Sequence, residues 1–105
     1  MLHTPTWNMI PTIQEQIAKA WNVAHKPNPT LDELFEAIPD TIVVEGVAYQ
    51  LQVTPLKGGL TFVDFNGIVN PNDNFFHSEH PNFAEALCSM IRILNENVND
   101  SWTDC

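Results

Sequence analysis

Apolar residues recur at helical spacing in three parts of the chain. In the first part the pattern runs from Pro11 to residues 26–29, where two prolines remove backbone donors and favour extended neighbours. The apolar face predicted for this helix consists of Ile10, Ile13, Ile17, Trp21 and Ala24. We therefore predict an N-terminal helix that begins near Pro11, because proline is well tolerated in a first helical turn.

A short second helix is predicted between Thr30 and Pro39. Residues 30–33 read Thr-Leu-Asp-Glu, which is a capping box: the threonine hydroxyl can bind the amide of Glu33, and the glutamate can bind back to Thr30. The apolar face predicted for this helix consists of Leu31, Leu34, Phe35 and Ile38. A helix of about two turns needs tertiary packing to persist.

The last helix has the clearest apolar stripe, which comprises Phe83, Leu87, Cys88, Ile91 and Leu94. Its start has two alternatives: either Pro81 occupies the first helical position, or Asn82 is the N-cap with Glu85 three residues later. Residues 98–105 are predicted to form a ragged tail, although Trp102 could fold back on the domain.

Alternation of apolar and polar residues predicts strands between the second and third helices. Residues 41–54 form a predicted hairpin with Glu45 and Gly46 as its two-residue turn. Pro55 ends the second strand of this hairpin, and the glycines of residues 55–59 allow a second reversal of the chain.

A third strand is predicted at residues 60–65. Asn66-Gly67 is the strongest hairpin signal in the sequence, so we expect a turn there and a short fourth strand at 68–69. Residues 70–74 are rich in asparagine and are predicted to be a loop. The two phenylalanines at 75–76 then either return to the sheet edge or close the end of the core.

Together these elements predict an α+β fold with two layers. It has an N-terminal helix, a short second helix, an antiparallel meander of three to four strands, and a C-terminal helix packed on one sheet face. The length of 105 residues fits a single domain, with residues 1–9 as a loosely held lead-in. On the second strand, the side that carries Ala48, Gln50 and Gln52 is small and uncharged, so it is either hydrated or a contact surface.

The charge of the chain is strongly negative and unevenly distributed, with a net value of −9. Residues 1–29 carry two lysines and one glutamate, a balance of +1, whereas residues 30–105 carry two cations and twelve carboxylates, a balance of −10. So few cations cannot follow a phosphate backbone, and we expect neither direct nucleic-acid binding nor binding to an anionic membrane.

The cysteines and the lengths of the apolar runs indicate the cellular compartment of the protein. Two cysteines, Cys88 and Cys105, do not make a disulfide framework, and the position of Cys88 in an apolar stripe predicts a small buried side chain. No run of residues is long and apolar enough for a membrane span, and the first residues lack the features of a secretory signal. We therefore expect the cytoplasm.

Ligand-type side chains gather in one segment, residues 77–80, which reads His-Ser-Glu-His. The candidate metal ligands there are His77, Glu79 and His80. With Asp64 or Asp73 as a further ligand, such a set could hold a metal ion that lowers the pKa of a bound water for hydrolysis.

The spacing within that segment argues against a shared metal. Histidines that bind zinc from one helix face usually stand four residues apart, whereas His77 and His80 are three apart and Pro81 places His80 at a helix boundary. We therefore predict that the segment is a loop leading into the last helix and that the two histidines share no ligand. We assign no catalytic, cofactor or metal residue from the sequence.

Much of the chain resembles a recurring pattern, which covers residues 29–97. It consists of PTLDELFEAIPDTIVVEGVAYQLQV, a glycine turn, an aromatic strand and FAEALCSMIRILNEN. This pattern is similar to that of small, functionally uncharacterised acidic α+β proteins of gut bacteria and of their phages or mobile elements. The resemblance implies the fold and a mobile-element origin, and it implies no activity, cofactor or catalytic residue.

Two classes of function follow as hypotheses. The first is a non-enzymatic interaction or accessory protein that binds another protein through its acidic or sheet surface, including a nucleic-acid mimic as a special case. The second is a metal-assisted hydrolase that uses His77, Glu79 and His80. A self-assembling structural module, such as a homodimer formed through a sheet edge, is a further alternative. The sequence favours the first.

Overall fold

A computed structural model describes residues 12–99 and 102–103 of the protein. The elements in chain order are α1 (Ile13–Ala24), α2 (Leu31–Ala37), β1 (Thr41–Val44), β2 (Val47–Pro55), β3 (Thr61–Gly67), β4 (Asn74–His80), α3 (Phe83–Asn97) and β5 (Trp102–Thr103). The predictions for the lead-in at residues 1–9, for Ile10 and Pro11, and for Cys105 lie outside the described residues. No helix of the described part has both the length and the apolar character needed to cross a membrane.

The described strands form one antiparallel sheet in the order β4-β3-β2-β1-β5. Strands β1 to β4 make an antiparallel meander, but the predicted fourth strand at 68–69 lies in a turn and residues 74–80 form β4 instead. The short strand β5 pairs with the outer edge of β1. The predicted α+β fold is confirmed, including the C-terminal helix on one sheet face. Of the two alternatives for Trp102, the structure has the one in which it folds back: the side chain is buried opposite Val44.

One side of the sheet and the three described helices enclose the core. The fully buried strand residues Ile42, Val63 and Phe65 cluster with side chains from the helices, which are Ile13, Ile17, Leu34, Leu87, Met90, Ile91 and Leu94. Cys88 is buried as predicted and is a free thiol whose pKa is raised mainly by burial. In the described part of the chain, the helices therefore cover one face of the sheet and leave the other face uncovered.

Local capping signals fix the helix starts. The capping box at Thr30 and Glu33 is present, and a second one joins Thr12 to Glu15, which the sequence prediction did not include. Asn82 caps α3 by accepting the amide of Glu85, so the asparagine alternative for that helix start is correct. Lys26, followed by the threonine cap, lowers the pKa of Glu33 to about 2 through hydrogen bonds.

Two sequence predictions about buried helix positions and turns are wrong. Leu31 and Phe35 are exposed on α2, because a helix this short presents only one narrow face to α1 and α3. Asn66 and Gly67 do not form a hairpin turn but continue β3, and the turn lies in residues 68–73. The Glu45–Gly46 turn is confirmed, with positive φ at both residues as a type I′ turn requires.

The predicted loop at residues 77–80 is a strand. These residues belong to β4, which pairs with β3 along the edge of the sheet, because alternation of half-buried and exposed side chains suits an edge strand. The approach to α3 is therefore only Pro81 and Asn82.

A β-bulge sets the direction of the side chains at the start of β4. Phe65 lies opposite Phe76 while Asn66 lies opposite Asn74, so Phe75 is the extra residue without a partner on β3. The bulge lets consecutive phenylalanines pack on the helical side, where Phe75 stacks on Tyr49 with ring centroids 4.8 Å apart. It also places Asn74 on the side of the sheet that faces away from the helices.

Candidate functional site

Polar side chains from three neighbouring strands fill the open face of the sheet, the side opposite the described helices. Two cross-strand rows run along it, and their members are Gln52, Asp64 and His77 in one and Gln50, Asn66 and Asn74 in the other. Because strand residues alternate between faces, Phe62 and Glu79 also belong to this side. We call this surface the open face.

The amides of the open face are hydrogen-bonded to one another. Asn74 Nδ2 donates to Asn66 Oδ1 at 3.0 Å and to Asp64 Oδ1 at 3.1 Å. Asn66 Nδ2 in turn donates to Gln52 Oε1. Since each of these side chains is held by a neighbour on another strand, the surface presents its polar groups in defined positions.

His77 lies between two carboxylates at one side of this array. Its Nδ1 is hydrogen-bonded to Asp64 Oδ1, and its Nε2 lies 3.1 Å from Glu79 Oε1. The Asp64 side chain is only 12% exposed, whereas that of Glu79 is 52% exposed. The imidazole packs nearly perpendicular to the ring of Phe62, with ring centroids 4.8 Å apart. We call Asp64, His77 and Glu79 the acidic triad.

The electrostatics of the triad favour a cationic imidazole. A neutral imidazole donates from one nitrogen only, whereas the protonated ring donates from both, which suits a carboxylate at each nitrogen. The hydrogen bond to Asp64 raises the pKa of His77, and the bond to Glu79 adds to this rise, while partial burial opposes it.

The triad predicts a pH-dependent contribution to stability. Because the pKa of His77 is raised on folding, its stabilisation is complete below the ordinary value of 6.5 and is lost as the pH rises through the raised value. His77→Gln should therefore destabilise the protein more at about pH 6 than at about pH 9, by less than about 1 kcal/mol for so exposed a group. Urea unfolding of both proteins at the two pH values measures the difference.

Asp64→Asn provides the companion variant. It removes the first cause of the raised pKa, so the pH dependence of the His77→Gln effect should largely disappear in the Asp64→Asn background. An effect of His77→Gln that is equal at both pH values in the wild-type background would contradict the cationic assignment.

The candidate ligands of residues 77–80 do not converge. Alternation along β4 places His77 and Glu79 on the open face, and Ser78 and His80 on the helical side. Ser78 is buried and donates to the carbonyl oxygen of Ala86 at 2.9 Å. The ring of His80 accepts the backbone amide of Asn82 at 2.9 Å, which ties it to the start of α3.

The two candidate aspartates also separate. Asp64 joins His77, but Asp73 lies in the β3–β4 loop. Burial raises the pKa of the Tyr49 phenol, and the nearby charge of Asp73 adds to this rise. In the described part of the chain, no group of three or more histidine, cysteine or acidic side chains is arranged to hold a metal ion. With each nitrogen of His77 bonded to a carboxylate, the triad forms a closed ion network.

A groove of about 370 Å³ extends the open face towards the β3–β4 loop. It is lined on the sheet by Gln50, Gln52 and Asn66, and on the loop by Ile68 and Pro71. Val69, which follows Ile68 in this loop, is 97% exposed. The open face thus combines ordered amides, two carboxylates and an apolar rim.

The sequence interpretation found part of this surface. It singled out the neutral side of β2 and the residues His77 and Glu79, but it did not include Asn66 or Asn74. The available signal was the alternation along residues 63–66, where Asp64 and Asn66 alternate with Val63 and Phe65; residues 74–79 show no such alternation.

The fold and this site define a two-layer α+β domain with an open polar sheet face. A scan against protein-family models finds no match to the chain, and searches of curated proteins and of solved structures also find none.

Proposed function

We propose that the protein is a non-enzymatic interaction protein, an accessory protein of phage or mobile-element type, that binds another protein through the open face. The observation that carries the proposal is the order of this surface. Its amides and ionised groups bond to one another across three strands, and so form a preorganised surface. Preorganisation supports binding because less side-chain entropy is lost when a partner docks.

The partner we propose is a protein with a basic contact surface. The chain has a net charge of −9, which attracts a cationic surface over distances of about a Debye length, ~10 Å. On the open face, Asp64 and Glu79 offer carboxylates against a single cation, His77. The exposed Ile68 and Val69 supply apolar contact at the rim, while Gln50 supplies an amide free to meet polar groups of the partner.

The other functional classes have less support. A hydrolase built on His77, Glu79 and His80 would need these side chains to converge, and they lie on two sides of β4. A nucleic-acid mimic would need carboxylates in rows at phosphate spacing, whereas they are distributed over the helices, the turns and the sheet. The cytoplasm belongs to the same proposal, since the free thiol of Cys88 suits a reducing compartment.

Site-directed photocrosslinking in the source cells tests the proposal. A photoreactive side chain at Gln52 should trap one specific protein, and the same group at Asn22 on the exposed side of α1 should not. The trapped protein is then purified, and its affinity is measured by calorimetry against the full chain at several salt concentrations. Affinity should fall as salt rises, because the contact is electrostatically favoured.

Matched substitutions assign the contact to the open face. Gln50→Lys and Asn22→Lys make the same change from amide to cation, the first on the open face and the second on α1. Gln50→Lys should weaken binding by about tenfold or more, since the added cation meets a basic partner, and Asn22→Lys should change it by less than about twofold. Equal effects of the two substitutions, or no specific crosslink from Gln52, would overturn the proposal.

A further inference from the structure

Strand β4 forms one edge of the sheet. Among the described residues it pairs with β3 on one side and has no strand on the other, whereas the opposite edge of the meander is partly covered by β5. An edge strand presents backbone N–H and C=O groups that can pair with another strand.

The part of β4 that can pair regularly is short and has sharp limits. The bulge at Phe75 interrupts it at one end, and Pro81, which has no backbone donor, ends it at the other. Between them lies the regular stretch Phe76–His80, five residues with Ser78 at the centre. A stretch with this symmetry can pair with a copy of itself in antiparallel register about Ser78.

We propose that two copies of this chain dimerise by antiparallel pairing of Phe76–His80 about Ser78, because this register places His77 of each copy opposite Glu79 of the other. Both side chains lie on the open face, so the two cross-strand pairs are of opposite charge. Both nitrogens of His77 are already bonded to Asp64 and Glu79 within one copy, so each cross-strand pair adds attraction between opposite charges rather than a new hydrogen bond.

The same register also suits the side chains on the helical side of β4. There the half-buried Phe76 stands opposite His80 of the second copy, and the small Ser78 stands opposite itself at the two-fold axis. Such an interface is isologous and closed, so pairing stops at the dimer. The dimer joins the two sheets into one and places two open faces side by side, which goes beyond the partner binding proposed above.

Sedimentation of the full chain over a wide concentration range tests the dimer. We expect a reversible monomer–dimer equilibrium in wild type. Glu79→Lys places a cation opposite His77 of the second copy, and His77→Glu places like charges opposite Glu79, so each variant should dimerise at least about tenfold more weakly. Glu36→Lys, on the exposed side of α2, makes the same charge change as Glu79→Lys and should leave the equilibrium unchanged.

Mixing the two variants gives the sharpest result. In a heterodimer of Glu79→Lys with His77→Glu, both cross-strand pairs again have opposite charges, so the mixture should dimerise although neither variant does so well alone. Recovery in the mixture also shows that both variants are folded. A wild type that remains monomeric at every concentration, or a dimer unaffected by Glu79→Lys, would overturn the proposal.

Amide hydrogen exchange provides a test without substitutions. The exchange of residues 76–80 in wild type should slow as concentration rises, because outward-facing amides become paired. Exchange rates in this stretch that do not depend on concentration would also overturn the dimer. No partner protein is present in these experiments, so their outcome is separate from that of the proposed function.

Discussion

Phe65→Ala is expected to lower the free energy of unfolding by about 3–5 kcal/mol. Phe65 is fully buried at the centre of β3, between Leu51 and Phe76 on the neighbouring strands, and it belongs to the same core cluster as Leu87 of α3. Its removal would leave a cavity between the two layers, since neither the sheet nor the helix can move into the space without losing its own contacts. Urea unfolding of the two proteins measures the difference.

Phe35→Ala is the matched control for this truncation. Phe35 is 38% exposed on α2 and contacts Phe83 edge to face, with ring centroids 5.5 Å apart. The same substitution there should lower stability by only about 1 kcal/mol, the scale of one aromatic pair. If the two variants lost similar amounts, the assignment of the core to the space between sheet and helices would be wrong.

The parts of the fold that the sequence predicts correctly depend on local signals. A capping box needs only four consecutive residues, so the start of α2 at Thr30 could be predicted before any tertiary contact was known. The same is true of the Glu45–Gly46 turn, where backbone sterics within two residues select the conformation. The stripe of α3 is long enough for its period to identify it.

Strand β4 shows where local reasoning fails. Pro81 was interpreted as the boundary of the last helix and the histidines before it as a loop, but pairing with β3 overrides that local preference. The bulge at Phe75 hides the alternation, because two consecutive phenylalanines break the period of two that identifies a strand. Only the register against β3 shows which side chains share a face.

The candidate site could be predicted only in part, because its side chains are brought together by strand pairing. Asp64 and His77 are thirteen residues apart and meet because Cα register places them opposite each other on β3 and β4. The sequence suggested Asp64 as a companion of the histidines, but it offered Asp73 equally, since nothing local distinguishes the two. The network among Asn66, Asn74 and Gln52 depends on three strands and has no local signal.

Gly67 has a role that the hairpin interpretation missed. The residue ends β3, and the loop of residues 68–73 folds back against it. Its amide donates to the carbonyl oxygen of Asp73 at 2.8 Å. A Cβ at this position would lie 2.6 Å from the backbone oxygen of Asn70 and 3.3 Å from Cβ of Asp73. Glycine is therefore required by the close approach of the loop.

Gly67→Ala should accordingly destabilise the protein by about 2 kcal/mol, within the range for overpacking. The methyl group meets backbone, which cannot rotate away, so the loop must shift and weaken its contact between Asp73 and Tyr49. Because Gly67 and Ile68 line the groove on the open face, the partner binding that we propose should weaken as well. Urea unfolding gives the stability change, and amide chemical shifts of residues 68–74 report the displacement of the loop.

Gly59→Ala separates steric conflict from backbone strain. Gly59 has a φ of +94° in the β2–β3 turn, and a Cβ there would meet nothing within 4 Å. That variant should lose about 1 kcal/mol from left-handed strain alone and should perturb only the shifts of its own turn. Gly67 has no positive φ, so left-handed strain does not apply to it. If Gly67→Ala lost only as much stability as Gly59→Ala and left the amide chemical shifts of residues 68–74 unchanged, the loop would not pack against Gly67.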